Sequence, residues 1–222
     1  MSGSAVPTTE PWAPARLAAL GLSLAPDQVD QVRAYAALLL HWNRRINLVG
    51  TQDAQELWQR HLLDCLMLQR LPWPPQTRQA VDLGAGAGLP GVLVAILHPS
   101  CRVLCVERTA KKVTFQQVVR QELGLDNLEP LRADVATMPV PPGGFDLAMA
   151  RALAELGQLL DWSRRLLRPG GVLWAMKGRR LAQEQAAIAS GVAADFLPRP
   201  HTLRYRLPDA ADEGVVAVYT RR

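Results

Sequence analysis

Val81-Asp82-Leu83-Gly84-Ala85-Gly86-Ala87-Gly88-Leu89-Pro90-Gly91 is the stretch on which the fold turns. An apolar run, Ala80 to Leu83, breaks into three alternating glycines, and a second apolar run, Val92 to Leu97, follows Pro90 and Gly91. That order reads as buried strand, tight turn, then helix. Alternating glycines let the backbone bend sharply and leave no side chains between it and a ligand. Pro90 suits the first turn of a helix, where its missing N–H costs little. The unpaired N–H groups of that helix start then favour a negative group, such as a carboxylate or phosphate.

The dinucleotide fingerprint G-x-G-x-x-G requires glycine at position 89, which is Leu here. The pattern is instead acidic-x-G-x-G-x-G, which resembles the first motif of S-adenosylmethionine-dependent methyltransferases of the doubly wound type. Glu107 ends a second apolar run, Val103 to Val106, 23 residues after Gly84. A carboxylate at such a strand end can accept hydrogen bonds from both ribose hydroxyls of an adenosine. An ordinary tight turn explains the glycines, but not the strand, helix and later carboxylate in register with them.

The 222 residues allow one or two domains and a substantial core. No apolar stretch reaches the ~18 residues of a membrane span. The N-terminus lacks the charged and apolar regions of an export signal, so a cytoplasmic location is expected. Cys65, Cys101 and Cys105 contain no C-x-x-C, and His41, His61, His98 and His201 are scattered without ligand spacing. No metal site is expected, and the cysteines read as small buried hydrophobes in a reducing compartment. The net charge of +5 is carried by 22 arginines and only three lysines. Arginine forks suit phosphates and guanine edges, although a coding bias toward Arg and Ala gives the same composition.

Residues 1–15 have no periodicity and read as a disordered extension. Val29, Val32, Tyr35, Ala36, Leu39 and Leu40 recur at three and four, the spacing of an amphipathic helix that starts near Asp27. Asp53 and Glu56 stand as a cap and its third-position partner before a second helix. The proline-rich stretch from Leu71 to Arg78 cannot be helical and reads as a linker. Residues 16–78 are therefore expected to form an N-terminal helical region, and 79–222 the glycine-loop domain. Beyond the loop, strands are expected at Arg102–Val106, Leu128–Leu131, Phe145–Ala150 and Val172–Met176. Leu203–Leu207 and Val215–Tyr219 form a closing antiparallel pair. A helix capped by Thr109 closes on Gly124, and another runs from Leu153 to Leu167 until Arg168-Pro169-Gly170-Gly171 stops it. The alternation predicts an α/β fold: a Rossmann-like, doubly wound, mostly parallel seven-stranded sheet with an N-terminal helical extension.

Five ordered motifs resemble one family. Trp42-Asn43-x-x-x-Asn47-Leu48, Arg60-His61-Leu62-Leu63-Asp64, the loop Asp82 to Gly91, Lys111-Lys112-x-x-Phe115, and Ala150-Arg151-Ala152 with Met176-Lys177-Gly178 look like those of the bacterial small-subunit (16S) ribosomal RNA guanine-N7 methyltransferases, also called glucose-inhibited division protein B. The resemblance runs from about residue 16 to the C-terminus. It implies transfer of a methyl group from S-adenosylmethionine to N7 of one guanine in 16S ribosomal RNA, with the RNA or the small subunit as partner and a monomeric enzyme. It places Gly84, Gly86, Gly88 and Leu89 at the cofactor loop, with Glu107, Arg108 and Thr109 along the adenosine. The family's Arg-Ala-Glu appears as Arg132-Ala133-Asp134, so Ala133 and the one-methylene-shorter Asp134 fall at the adenine edge. Cys65 stands where Ser is usual, and Val49-Gly50 where a hydroxyl often follows Leu48.

Guanine N7 carries an in-plane lone pair and no proton, so its methylation needs positioning and no general base. Arg151 and Lys177 are the expected catalytic residues, contacting the cofactor carboxylate, a phosphate or O6 without capping N7; Arg151 also counts toward the cofactor site. His61 and Asp64 share a helical face and are expected to bond helix to domain. Asn43 and Asn47 are expected to fix the turn after their helix, and Trp42 to pack. Arg44-Arg45, Arg164-Arg165, Arg168, Arg179-Arg180 and Arg199 to Arg206 are candidate phosphate contacts. A small-molecule methyltransferase, a nicotinamide-dependent oxidoreductase and a ribosome-assembly factor without turnover remain as alternatives.

Overall fold

The structure, a computed structural model, describes residues 13–222 except 189, 199, 209, 211 and 212. Most of the expected extension and Arg199 lie outside the described residues. Helix α1 (Pro14–Ala19) begins two residues inside that extension, with proline in its first turn. Helix α2 (Pro26–Asn43) follows, burying Val32, Tyr35, Ala36 and Leu39. Asn43 then fixes the turn: its carbonyl accepts the Leu48 and Val49 amides, and its amide donates to the Val49 and Thr51 carbonyls. Asn47 is exposed.

Asp53 caps the next helix, accepting the Glu56 amide at 2.7 Å. Glu56 does not return to the cap; it takes the Thr51 hydroxyl and the Arg60 guanidinium. The expected single helix is a composite of α3 (Ala54–Leu57), a π turn (Trp58–Leu62), α4 (Leu63–Leu66) and a 3₁₀ turn (Met67–Arg70). Local π turns of this kind recur at functional sites.

Seven strands form one sheet: β1 (Gln79–Leu83), β2 (Arg102–Glu107), β3 (Leu128–Arg132), β4 (Phe145–Arg151), β5 (Leu167–Lys177), β6 (His201–Arg206) and β7 (Glu213–Thr220). Their order is β3-β2-β1-β4-β5-β7-β6, with β1 to β5 parallel and β7 antiparallel to both neighbours. Order reverses between β1 and β4, so a crevice opens beyond their carboxyl ends, where ligands bind in such sheets. Leu83 lies level with Val106 and Ala150, which brings the β1 turn, Glu107 and Arg151 to one edge.

Side chains alternate along β1. Ala80 joins the core under α2, α5 (Gly91–Leu97) and α6 (Ala110–Glu122), while Val81 and Leu83 join the opposite core under α7 (Leu156–Leu166) and α8 (Leu181–Ala186). A last short helix, α9 (Ser190–Ala194), precedes β6. Trp42 packs on Phe115, ring centres 5.8 Å apart, as a core residue.

Two expected boundaries move. Helix α7 begins at Leu156 and not Leu153, because residues 152–155 form a turn in which Ala152 has φ +52°. Strand β5 begins at Leu167, and the Arg168–Gly171 stretch continues it. The stretch bulges within β5, where Phe145 pairs with Leu167 but Leu147 with Val172 and Gly170 has φ +78°; the Gly170 amide donates to the Arg221 carbonyl, and the Arg221 amide to the Gly171 carbonyl.

The helical region and the sheet share one core, and Tyr35 is their buried polar tie. Its hydroxyl donates to the Ala87 carbonyl at 2.8 Å, with no exposed surface. Tyr35→Phe deprives a buried acceptor of that donor, which costs about 1–3 kcal/mol. The urea midpoint should fall with an unchanged m-value; an unmoved midpoint would show that the bond contributes nothing.

Candidate active site

The glycine turn is held by side chains from four elements. Tyr35 bonds Ala87 from α2; Gln116 of α6 donates to the Gly86 carbonyl at 2.8 Å; Glu107 of β2 accepts the Gly86 amide at 3.1 Å; Asp82 of β1 accepts the Gly91 amide at 2.8 Å. Gly84, Gly86 and Gly88 have φ of +66°, +58° and +93°, a region that side chains make costly. The helix start expected to attract an external anion is thus served by Asp82, a carboxylate of the chain itself. Leu89 and Gly88 are buried beneath the turn.

A cavity of about 420 Å³ opens above it, within the range of small-ligand sites. Of the expected cofactor residues, Gly84, Gly86, Glu107, Arg108, Thr109, Ala133 and Asp134 line it; Gly88 and Leu89 do not, and Arg151 lies next door. The sequence reading missed Val106, Val135, Leu153 and Trp162 as walls, none of which carries a polar signature. A Cβ built on Gly86 would meet only the Gly84 carbonyl at 3.9 Å, so the space beside it is open.

Glu107 accepts the Thr109 amide at 2.8 Å on one oxygen and the Gly86 amide at 3.1 Å on the other, and the Thr109 hydroxyl also bonds its carboxylate. An ionised carboxylate has about four acceptor positions, so the protein does not use all of them and capacity for a hydroxyl remains. Burial alone would raise its pKa, but the Thr109 bonds, the Lys112 charge and the Gly86 amide together hold it below the usual glutamate value. Asp134 uses one oxygen to accept the Ala136 amide at 2.8 Å, and the Ala133 amide is taken by the Glu107 carbonyl.

A second cavity, about 520 Å³, shares Ala152 and Leu153 with the first and is lined further by Asp64, Arg151, Glu155, Lys177, Arg180, Glu184 and Tyr205. Arg151 donates to the Asp64 carboxylate at 3.0 Å and to the Arg60 carbonyl at 2.9 Å, and lies 3.1 Å from His61 Nδ1. The π turn exposes that carbonyl and imidazole side by side. Burial, then the Arg151 charge, pushes the His61 imidazole down to about 4, so it is neutral at pH 7 and its Nδ1 accepts. Tyr205, which no sequence signal marked, donates to the other Asp64 oxygen at 2.6 Å. His61 and Asp64 thus bond helix to sheet, as their spacing suggested. Lys177 is no solvated cation: it is nearly buried, 2.7 Å from Glu184 and donating to the Ala154 carbonyl.

Several arginines expected to meet phosphate serve the fold. Arg165 donates to the Val135 and Met138 carbonyls, Arg168 pairs with Asp146, Arg164 with Asp161 and Asp195, and Arg204 with Glu213. Arg44, Arg45, Arg108 and Arg206 remain exposed. Among the described residues no group of three His, Cys, Asp or Glu could hold a metal, and no helix is long and apolar enough to cross a membrane.

This sheet order, glycine turn and cavity define a Rossmann-like fold of the class I S-adenosylmethionine-dependent methyltransferase type. The structure is similar to a geranyl diphosphate methyltransferase in complex with GPP and sinefungin (TM-score 0.58, 16% identity, 90% of this chain and 100% of that one). It is also similar to TrmN from Thermus thermophilus (TM-score 0.56, 18% identity, 74% and 53%). At these identities the likeness is one of fold.

The chain belongs to the GidB family, rRNA small subunit methyltransferase G, whose family model matches residues 28–196. It is similar to the ribosomal RNA small subunit methyltransferase G of Anaeromyxobacter sp. (strain Fw109-5), 36% identical over 211 residues, 93% of this chain and 94% of that protein. The protein of the same name from Acidovorax sp. (strain JS42) is 39% identical over 190 residues, 79% and 81%.

Asp82 generates a pH prediction. Burial pushes its carboxyl up to about 7, against the opposing Gly91 amide and Arg151 charge. The folded value exceeds the unfolded one near ~4, so the contribution to stability is complete below about pH 4 and is lost as pH rises through about 7. Asp82→Asn cannot titrate. Relative to this variant the wild type should lose up to about 1.4 kcal/mol per pH unit over that window, then level off. Urea unfolding of both proteins from acid to mildly alkaline pH measures it; a pH-independent difference would place the Asp82 pKa outside the window.

Proposed function

We propose that the chain transfers the methyl group of S-adenosylmethionine to N7 of one guanine in 16S ribosomal RNA. The single observation that carries the reading is Glu107, held ionised beside the open face of Gly86 with acceptor capacity left for a hydroxyl. The acceptor set fits an adenosine: a ribose hydroxyl donates to the remaining capacity of Glu107, and Asp134, with one oxygen on the Ala136 amide, lines the same cavity. When bound, S-adenosylmethionine supplies an electrophilic methyl carbon.

The protein's part is to place a purine against it. The acceptor cavity adjoins the cofactor cavity across Ala152 and Leu153. N7 brings its own lone pair, so no residue has to remove a proton. The acceptor cavity is built accordingly: Asp64, Lys177 and Glu184 are committed to neighbouring groups. In this reading Arg151 and Lys177 act by fixing the walls, Arg151 through the helical region and Lys177 through Glu184. Residues 16–78 then serve the glycine-loop domain as one wall of the acceptor cavity. The exposed Arg44, Arg45 and Arg206 supply phosphate contacts. The partner is the small subunit or its RNA, met by a monomer in the cytoplasm.

Mass-spectrometric mapping of 16S ribosomal RNA from cells with and without the protein tests the activity. The expected result is loss of one N7-methylguanine; an unchanged map, or loss of a methyl group on an exocyclic amine, would overturn it. Gly86→Val tests the site: a branched side chain enters the open space beside the turn, and S-adenosylmethionine affinity by calorimetry should fall at least ~10-fold, as expected where a side chain blocks close backbone approach. Unchanged affinity would put the cofactor elsewhere.

A further inference from the structure

The acceptor cavity contains three carboxylates besides the strand-end glutamate of the cofactor cavity, and they are not equivalent. Asp64 holds Arg151 on one oxygen and Tyr205 on the other, and Glu184 accepts both Lys177 and the Leu156 amide at 2.7 Å. Glu155 differs. It stands at the N-cap of α7, where a side-chain oxygen ordinarily accepts an amide of the first turn, yet it makes no cap bond. Among the described residues its side chain pairs with the Arg180 guanidinium at 3.3 Å, and both side chains are 73% exposed. Such a pair is worth little in water and exchanges readily for another partner.

An exposed, loosely paired carboxylate on the wall of a site that takes a polyanion repels phosphate, so a ligand partner there must be a donor of hydrogen bonds. Guanine presents two neighbouring donors, N1–H and the N2 amino group, on the ring edge away from N7, with the O6 acceptor beside them. Adenine presents an acceptor at N1 and no amino group at C2. A carboxylate takes the two guanine donors in parallel, and an arginine next to it meets O6. Leu153, partly exposed between the two cavities, lies two residues before Glu155. A base directed with N7 toward the cofactor cavity has its N1–H, N2-amino and O6 edge within the acceptor cavity, which Glu155 and Arg180 line.

We infer that Glu155, with Arg180 beside it, reads the N1–H, N2-amino and O6 edge of the target guanine and so determines base specificity. The inference rests on the methyl-transfer reading above. Its test uses ligated small-subunit RNA carrying guanine or inosine at the mapped position, since inosine lacks only the N2 amino group. The wild type should prefer guanine by roughly 10- to 100-fold in kcat/KM, the range for one lost hydrogen bond to a charged group. Glu155→Ala should lower the guanine rate and bring the guanine-to-inosine ratio below about 3, with S-adenosylmethionine affinity and urea midpoint unchanged because the side chain is exposed and caps nothing. A retained wild-type ratio in the variant, or a wild type indifferent to inosine, overturns the inference while leaving methyl transfer to guanine intact. No transfer to either RNA by the wild type would overturn both.

Discussion

Three residues in the turn after β1 take a backbone conformation that a side chain makes costly, and the neighbourhood is built to hold it there. The turn exposes amides and carbonyls where the sheet is buried, and an unpaired buried group costs about as much as a lost hydrogen bond. Tyr35, Gln116, Glu107 and Asp82 each satisfy one of those groups, from four different elements. The turn is therefore a joint between the helical region, the first two strands and α6, with the cavity above it.

Two carboxylates at adjacent strand ends have separate uses because their surroundings differ. Asp82 faces inward under α5, has no exposed surface and holds a pKa far above the normal aspartate value. Glu107 reaches the cavity edge, where backbone amides and Lys112 keep it ionised. The first braces the start of a helix; the second offers acceptors to a ligand.

Arg151 connects this frame to the second cavity. A guanidinium with several donors in a fixed plane can bind a carbonyl, an imidazole nitrogen and a carboxylate at once, which a lysine cannot reproduce. The π turn at Trp58–Leu62 presents the first two of those acceptors, and β6 brings Tyr205 to the far side of Asp64. The second cavity thus has walls from both the N-terminal helices and the C-terminal strands.

The sequence by itself determined the elements that rest on local chemistry: the strand, glycine turn and helix around residue 84, the carboxylate after β2, the Asp53 cap and the Asn43 turn. Each depends on bonds or backbone angles within a few residues. The α/β order was legible for the same reason, and so was the family, whose motifs are short and contiguous. Tertiary structure alone decided which arginines are spent inside the fold, that Gly88 and Leu89 are buried and do not line the cavity above the turn, and that Tyr205 completes the Arg151 cluster. It also decided that β5 absorbs the Arg168–Gly171 stretch. Long side chains reach partners up to 141 residues away in sequence, as Tyr205 reaches Asp64. Which partner is near is fixed by strand register and helix packing, and no local spacing encodes that.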